Sequence, residues 1–318
     1  MQLSSPDIVT FGESMALLMP KEHMPIERSS SLDLSFGGAE SNVAIGLARL
    51  GVSVGWCGTL GADPYGTLIL KTLRGEGVDI SRATLSSEAP TGTMLREHVA
   101  GKLAVHYFRK HSAASQMKPE DLDEEYIRGA QILHITGITP ALSDNGLATI
   151  KHAVSIAKQA GVKISFDPNL RLKLWSIEEA RAVLLPIAAE ADYFLPGWDE
   201  LKLLYDTEDY EEVKTHLRAL KAISIIKGKD NSTIVLEKDT ETAVPFYKAE
   251  QVVDTVGAGD GFCSGFLAGI SKGMSLVEAT KLASINGSLV IQMRGDWEAL
   301  PDYTSVERLL LDKVWVER

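Results

Sequence analysis

The chain is 318 residues long, 45% hydrophobic and 24% charged, with a formal net charge of −11 at pH 7. The length suits one large α/β domain with a small appendage; the acidity argues against a surface built to hold nucleic acid, though not against a small anion met by a few local cations. Cys57 and Cys263 lack metal-site spacing, and there is neither a basic leader before an apolar core nor about 18 consecutive apolar residues, which together imply a reducing, cytoplasmic setting without disulfides, zinc or a membrane span.

In chain order, "DIVTFGESMALLMP" (7–20) reads as an apolar strand, a break at Gly12 and a second extended piece. "SLDLSFGGAESNVAIGLARLG" (31–51) passes through a glycine turn into a helix with Val43, Leu47 and Leu50 at helical spacing, stopped by Gly51. "VSVGWCGTLG" (52–61) is a short strand, and "TGTMLREHVAGKLAVHYFRKH" (91–111) alternates around a Gly101 turn, as a hairpin does. From residue 130 the rhythm is regular: strands in "AQILHITGI", "VKISFDPN" and "DYFLPG" alternate with helices in "NGLATIKHAVSIAKQAG" and "SIEEARAVLLPIAAEA", followed by two strands in "ISIIKGKDNSTIVLEK". Such alternation builds a mostly parallel sheet with helices on both faces. Ser176 with Glu179 and Ser275 with Glu278 form capping boxes at two helix starts.

Near the C-terminus, "VVDTVGAGDGFCSGFLAGI" (252–270) places Gly257-Ala258-Gly259-Asp260 at the head of an apolar helix. A turn of small residues there exposes unpaired backbone N–H groups, and the helix dipole adds positive potential, so the site favours an anion such as phosphate. A carboxylate beside a bound anion suits a base that deprotonates an attacking hydroxyl; the alternative is that Asp260 only favours the helix N-terminus electrostatically. A dinucleotide fingerprint needs glycine where Phe262 stands, and the Gly-Lys pairs are followed by Leu103 and Asp230 rather than the Ser or Thr of a Walker loop. Gly261, Gly265 and Gly269 leave a bare stripe on the helix; each costs about 1 kcal/mol relative to alanine, which implies close backbone packing.

"GGAESNVAIGLARLG" (37–51) and "DTVGAGDGFCSGF" (254–266) together resemble the two signatures of the ribokinase-like (PfkB) carbohydrate kinases, and the resemblance runs over essentially the whole chain. It implies a three-layer α/β/α sandwich with a mostly parallel central sheet, one domain spanning 1–318, and a small β lid drawn from about 12–36 and 91–111. It also implies that Asp260 is the catalytic base, with the N–H groups of Gly257, Ala258 and Gly259 as the anion hole. Gly37, Gly38 and Asn42 would line the sugar site. For ATP with Mg²⁺, the implied contacts are Asn169, Lys227, Gly228, Gly259 and, near the adenine, Asn286. The family's Asn-x-x-Glu motif is reduced to "GWDE", leaving Glu200 to reach the metal through water. A potassium ion near Asp254 and Thr255 and a homo-oligomer are implied too.

Within the family, "GESMALLMP", "YFRKHSAAS", "HITGITPALSDN", "DPNLRLKLW" and "RGDWEALP" resemble 2-keto-3-deoxygluconate kinases. Leu17 stands where an aspartate often grips two sugar hydroxyls, against a plain ribokinase or typical fructokinase, although a fructokinase or other neutral-sugar kinase stays the alternative. For a sugar acid, Tyr107 and Arg109, two apart on one predicted strand, share a face and can bind a carboxylate and a neighbouring hydroxyl. Arg171 is a second cation for the sugar acid or the γ-phosphate, and Asp296 a late substrate contact. Met94 replaces a frequent tyrosine, which leaves the galactonate epimer open as substrate.

Overall fold

The computed structural model describes residues 5–22, 24–99 and 102–311; the Gly101 turn expected in the early hairpin lies outside them. The N-terminal run divides at Gly12 into β1 (Ile8–Phe11) and β2 (Met15–Pro20), which enter different sheets. Next come β3 (Leu32–Gly37), α1 (Ala39–Arg49), β4 (Val54–Cys57), β5 (Thr59–Gly61), α2 (Pro64–Gly75) and β6 (Thr84–Ser86). The single strand expected in 52–61 is thus two, because β4 pairs with β1 whereas β5 turns away at Gly58 to pair with β6. The chain continues through β7 (Thr93–Val99), β8 (Lys102–Phe108), α3 (Glu124–Arg128), β9 (Ile132–Thr136), α4 (Thr139–Leu142) and α5 (Asp144–Ala160). Then follow β10 (Lys163–Asp167), α6 (Ile177–Glu190), β11 (Tyr193–Phe194), α7 (Trp198–Tyr205) and α8 (Tyr210–Ala219). β12 (Ile223–Lys229), β13 (Ser232–Glu237) and β14 (Thr240–Pro245) precede α9 (Ala258–Ser271), α10 (Leu276–Val290) and α11 (Tyr303–Leu310).

The central sheet runs β14-β13-β12-β11-β10-β9-β1-β4. It is parallel from β12 to β4 and antiparallel at β13 and β14. Side chains alternate across its two faces, which is why its strands are apolar at consecutive positions. Ile8, Ile132, Ile225 and Val235 pack under α1, α2, α9 and α10. Val9, Leu133, Ile226 and Ile234 pack against α5, α6, α7 and α8 on the opposite face. Helices therefore cover both faces and the three-layer α/β/α sandwich is formed. Both anticipated capping boxes are present, at Ser176–Glu179 and Ser275–Glu278.

The glycine stripe on α9 serves α10: a Cβ on Gly265 would come within 2.7 Å of the Ala283 Cα, and one on Gly269 within 2.7 Å of the Ala279 Cα. A second sheet, ordered β3-β2-β7-β8, stands beside the C-terminal ends of the parallel strands. One of its faces carries Met15, Leu17, Met19 and Met94 as a small core of its own, with Val105 packed on it.

Candidate active site

Ligands of open α/β sheets bind beyond the carboxyl ends of the strands, and there the second sheet, α1, β10, β12 and α9 enclose a cavity of about 460 Å³. Of the residues singled out in the sequence, Gly37, Gly38, Asn42, Tyr107, Arg109, Asn169, Arg171, Glu200, Lys227, Thr255, Gly257, Gly259, Asp260 and Asp296 line it together. Ala258 and Gly228 line an adjoining apolar pocket of about 360 Å³, which shares Lys227 and Gly259 with the first.

The turn at the head of α9 is left-handed at Gly257, with φ 77°, and a Cβ there would sit 2.1 Å from the Asp296 carbonyl oxygen. Only glycine fits, on both counts. Gly259, by contrast, faces open space. Asp260 lies in the first helical turn, 9% exposed, and its Oδ2 accepts a hydrogen bond from Asn42 Nδ2 at 2.8 Å. Burial pushes its carboxyl up to about 7, while the Asn42 hydrogen bond and the Arg171 charge pull it back. A carboxyl that ionises near neutrality beside unpaired N–H groups can take a proton from a hydroxyl where negative charge is being stabilised. Asn42 Oδ1 is buried and unpartnered among the described residues, free to accept from a polyol.

The sugar side departs from expectation at Arg109. β8 ends at Phe108, and the guanidinium forms an ion pair with Glu13, a carboxylate only 2% exposed that also accepts from Ser112 Oγ at 2.8 Å. Burial of Glu13 demands a counter-charge, so Arg109 is already engaged and lies 5.4 Å above the Tyr107 ring. Arg171 is exposed, with no hydrogen bond or ion pair through its side chain among the described residues. Asp296 is buried and 2.5 Å from Arg96, and a Cβ on Gly37 would lie 2.1 Å from its Oδ2. Burial raises Asp296 to about 6, held down by Arg96.

On the phosphate side, Lys227 Nζ lies 3.1 Å from Asp167 Oδ2. Burial alone would lower the Lys227 pKa, but the Asp167 and Glu200 charges outweigh it and the amine stays protonated. Asp167 was missed in the sequence although it stands at the end of an apolar strand in "DPN". It also accepts from Cys263 Sγ at 3.2 Å and from the Asn169 N–H at 3.1 Å. Glu200 is raised by burial and the neighbouring Asp167, and its two oxygens accept the N–H groups of Leu170 at 2.7 Å and Gly197 at 2.6 Å. No group of three or more metal-type side chains is gathered among the described residues. Mg²⁺ in nucleotide sites needs only one or two carboxylates besides phosphate and water, and Glu200 can supply one through water, whereas Asp167 is already paired with Lys227.

Two expectations need correction. Asn286 does not reach the apolar pocket: it is fully buried, and its Nδ2 donates to the Gly261 carbonyl at 2.6 Å and Ser264 Oγ at 2.9 Å, joining α10 to α9. The pocket wall from α10 and its C-cap is Ser284, Gly287, Ser288 and Ile291, a single helical face from which Asn286 is out of phase. Asp254 is not a free ligand for potassium either. Its Oδ1 accepts the Val256 N–H at 3.1 Å, and its Oδ2 faces the Arg96 guanidinium at 3.5 Å, a charge that repels a cation.

A family model described as pfkB family carbohydrate kinase matches residues 5–302. The chain is 40% identical over 304 residues to the 2-dehydro-3-deoxygluconokinase of Bacillus subtilis (strain 168), covering 93% of this chain and 92% of that protein. The solved 2-dehydro-3-deoxygluconokinase of Thermotoga maritima is 28% identical, with a TM-score of 0.87 and coverage of 96% of this chain and 98% of that one. A putative ribokinase II from E. coli, solved with ATP and Mg²⁺, shares the fold with a TM-score of 0.90 at 24% identity, covering 97% of this chain and 100% of that one.

Proposed function

The chain belongs to the pfkB family of carbohydrate kinases, and we propose that it transfers the γ-phosphoryl group of ATP to the terminal hydroxyl of 2-keto-3-deoxygluconate, giving 2-keto-3-deoxy-6-phosphogluconate. It is a phosphotransferase with an alcohol group as acceptor. The observation that carries the reading is Asp260: a buried carboxyl raised to about 7, at the N-terminus of α9, lining the polar cavity next to Gly259, which lines both that cavity and the apolar pocket.

In this mechanism the sugar acid occupies the cavity beneath the second sheet, with Gly37, Gly38 and Asn42 against its hydroxyls and Asp296 beside them. Arg171 and Tyr107 meet its carboxylate, with Arg109 held against Glu13 as their support. The nucleotide base enters the apolar pocket, and Lys227, Asn169 and the N–H groups of Gly257, Ala258 and Gly259 face its phosphates. Asp260 takes the proton of the attacking hydroxyl while those N–H groups stabilise charge on the transferring group. Glu200 would hold Mg²⁺ through water, with Asp167 keeping Lys227 in place beside it, and the ion would neutralise charge at the phosphates. Closure of the second sheet as a lid excludes water and so favours transfer to sugar over hydrolysis.

Three further features belong to the proposal. The exposed Leu32, Leu34, Val99 and Phe108 of the second sheet suit a homo-oligomer contact. Two free cysteines suit a cytoplasmic setting, and no described helix is long and apolar enough to cross a membrane. Potassium at Asp254 and Thr255 is left out because of Arg96. The test is a coupled assay of ADP release with 2-keto-3-deoxygluconate, its galactonate epimer, fructose and ribose. The sugar acids should turn over with the highest kcat/KM; a preference for fructose would replace the substrate with a neutral sugar.

A further inference from the structure

We propose that the Arg96 guanidinium is a built-in counter-cation, standing where a monovalent cation was expected and tying the second sheet to the turn at the head of α9. The kinetic part of this inference rests on the kinase reading above; the binding part does not.

Arg96 projects from β7, and its side chain is only 4% exposed. A buried guanidinium persists only where carboxylates meet it, and two do. One terminal nitrogen lies 2.5 Å from Asp296 Oδ1, the other 3.5 Å from Asp254 Oδ2. These two residues flank the turn. Asp254 Oδ1 accepts the Val256 N–H at 3.1 Å, one residue before Gly257. The Asp296 carbonyl closes on Gly257 from the opposite side, near enough that a Cβ there would lie 2.1 Å away. The Val253 N–H donates to the Ile291 carbonyl at 2.8 Å, which fixes the approach to Asp254. One guanidinium thus bonds to both segments that hold the turn in shape, and it does so from the second sheet.

A free potassium ion at Asp254 would have to share that carboxylate with a like charge a few ångströms off. The two carboxylates meet the two terminal nitrogens of a guanidinium instead, with Nε buried and unpartnered among the described residues. The functional difference is attachment. A dissolved ion responds to the buffer, whereas Arg96 responds to the position of β7. Arg96 is therefore a positioning residue: displacing the second sheet withdraws a charge from both supports of the turn.

The test compares the purified full chain in tetramethylammonium, sodium and potassium salts at equal ionic strength, reading both Tm and turnover. The wild-type protein should show no potassium-specific rise in Tm, and kcat should agree across the three salts within about twofold. Arg96→Ala should lose about 10²-fold in kcat through misplacement of the turn. Potassium or added guanidinium should restore part of that loss and raise the variant's Tm by binding. Arg96→Lys, which keeps the charge, should fall between the two and serves if the alanine variant does not fold.

Potassium activation and stabilisation of the wild-type protein would overturn the inference. So would a folded variant with normal kcat, one with only a raised KM for the sugar acid, or one that neither cation restores or stabilises. If neither variant folds, the wild-type comparison decides. If the wild-type protein turns over no sugar acid, the kinase reading fails and Tm alone judges Arg96.

Discussion

Around the cavity beneath the second sheet, charged side chains are paired inside the protein, Glu13 with Arg109, Asp296 with Arg96 and Asp167 with Lys227, while the Arg171 side chain stands without a hydrogen bond or ion pair among the described residues. Across Gly259 the pocket is walled by Phe246, Phe262, Ala258 and Ile291. Its two serines bond the Tyr247 backbone: Ser284 Oγ accepts the N–H at 2.6 Å and Ser288 Oγ donates to the carbonyl at 2.5 Å. Fixed charges in a dry cavity are directional and need no rearrangement as reaction charge develops; apolar burial is not directional. On the proposed reading, discrimination and catalysis therefore belong to the first region, and the second takes a flat ring by apolar contact.

The largest expected effect attacks the first region at its centre. Asp260→Asn keeps the shape and the contact with Asn42 but cannot accept a proton. It should lower kcat by about 10²–10⁴-fold with the KM for ATP nearly unchanged, as steady-state kinetics and nucleotide titration would read. Near-normal turnover would leave Asp260 as no more than a helix-end carboxylate.

Next in size are the two arginines, which the structure separates. Arg171→Ala should raise the KM for the sugar acid by about tenfold or more, given that a charge-assisted hydrogen bond contributes about 1.5–3 kcal/mol, and should leave Tm and the KM for a neutral ketose almost unaffected. Arg109→Ala should also lower Tm by several degrees, because it strands Glu13; breaking a buried pair costs about 3–5 kcal/mol. Equal effects of both substitutions on Tm would deny that Arg109 is structurally committed.

A smaller effect is read in pH. Asp260 ionises near pH 7, well above the ordinary carboxylate range, because burial disfavours its charge. The folded protein then holds a proton that the unfolded chain releases, so this group's contribution to stability falls as pH rises from about 4 to about 7. Activity moves the other way, rising as the base ionises. Profiles of kcat/KM and Tm against pH should cross in this manner, and Arg171→Ala should move the activity limb upward. Glu40, also pushed up to about 7 by burial, adds to the stability slope but not to the limb, since its carboxyl accepts from Thr136 at 2.6 Å outside the cavity lining.

What the sequence made legible was local. The parallel layers follow from strand and helix spacing, and Gly37-Gly38, Asn42 and Gly257 to Asp260 each sit in a short motif whose chemistry is self-contained. Charge pairing was not legible: Arg96 finds Asp296 across 200 positions, and nothing near Glu13 announces Arg109. Asn286 failed for a different reason. A helix turns about 100° per residue, so an error of one or two positions moves a side chain from the pocket to the packed face. β14 escaped because "TETAVP" is half-polar, and its place depends on pairing with β13 rather than on its own pattern.

The smallest effect expected is on the choice of nucleotide, and it tests the comparison where it is most exposed. With the Ser288 O–H donated to the Tyr247 carbonyl and Ser284 Oγ accepting its N–H, side chains offer the base little beyond the Ser284 O–H and Phe262, Phe246 and Ile291 to lie against. A site built to hydrogen-bond its substrate rejects an analogue by about 10⁴–10⁵, whereas a single neutral hydrogen bond contributes about 1 kcal/mol. GTP should therefore support turnover within about tenfold of ATP in kcat/KM, and Phe262→Ala should raise the KM for both nucleotides alike while leaving kcat in place. If ATP were preferred by three decades or more, backbone groups in the pocket would be reading the base, and the two regions would differ in their means of selection rather than in whether they select.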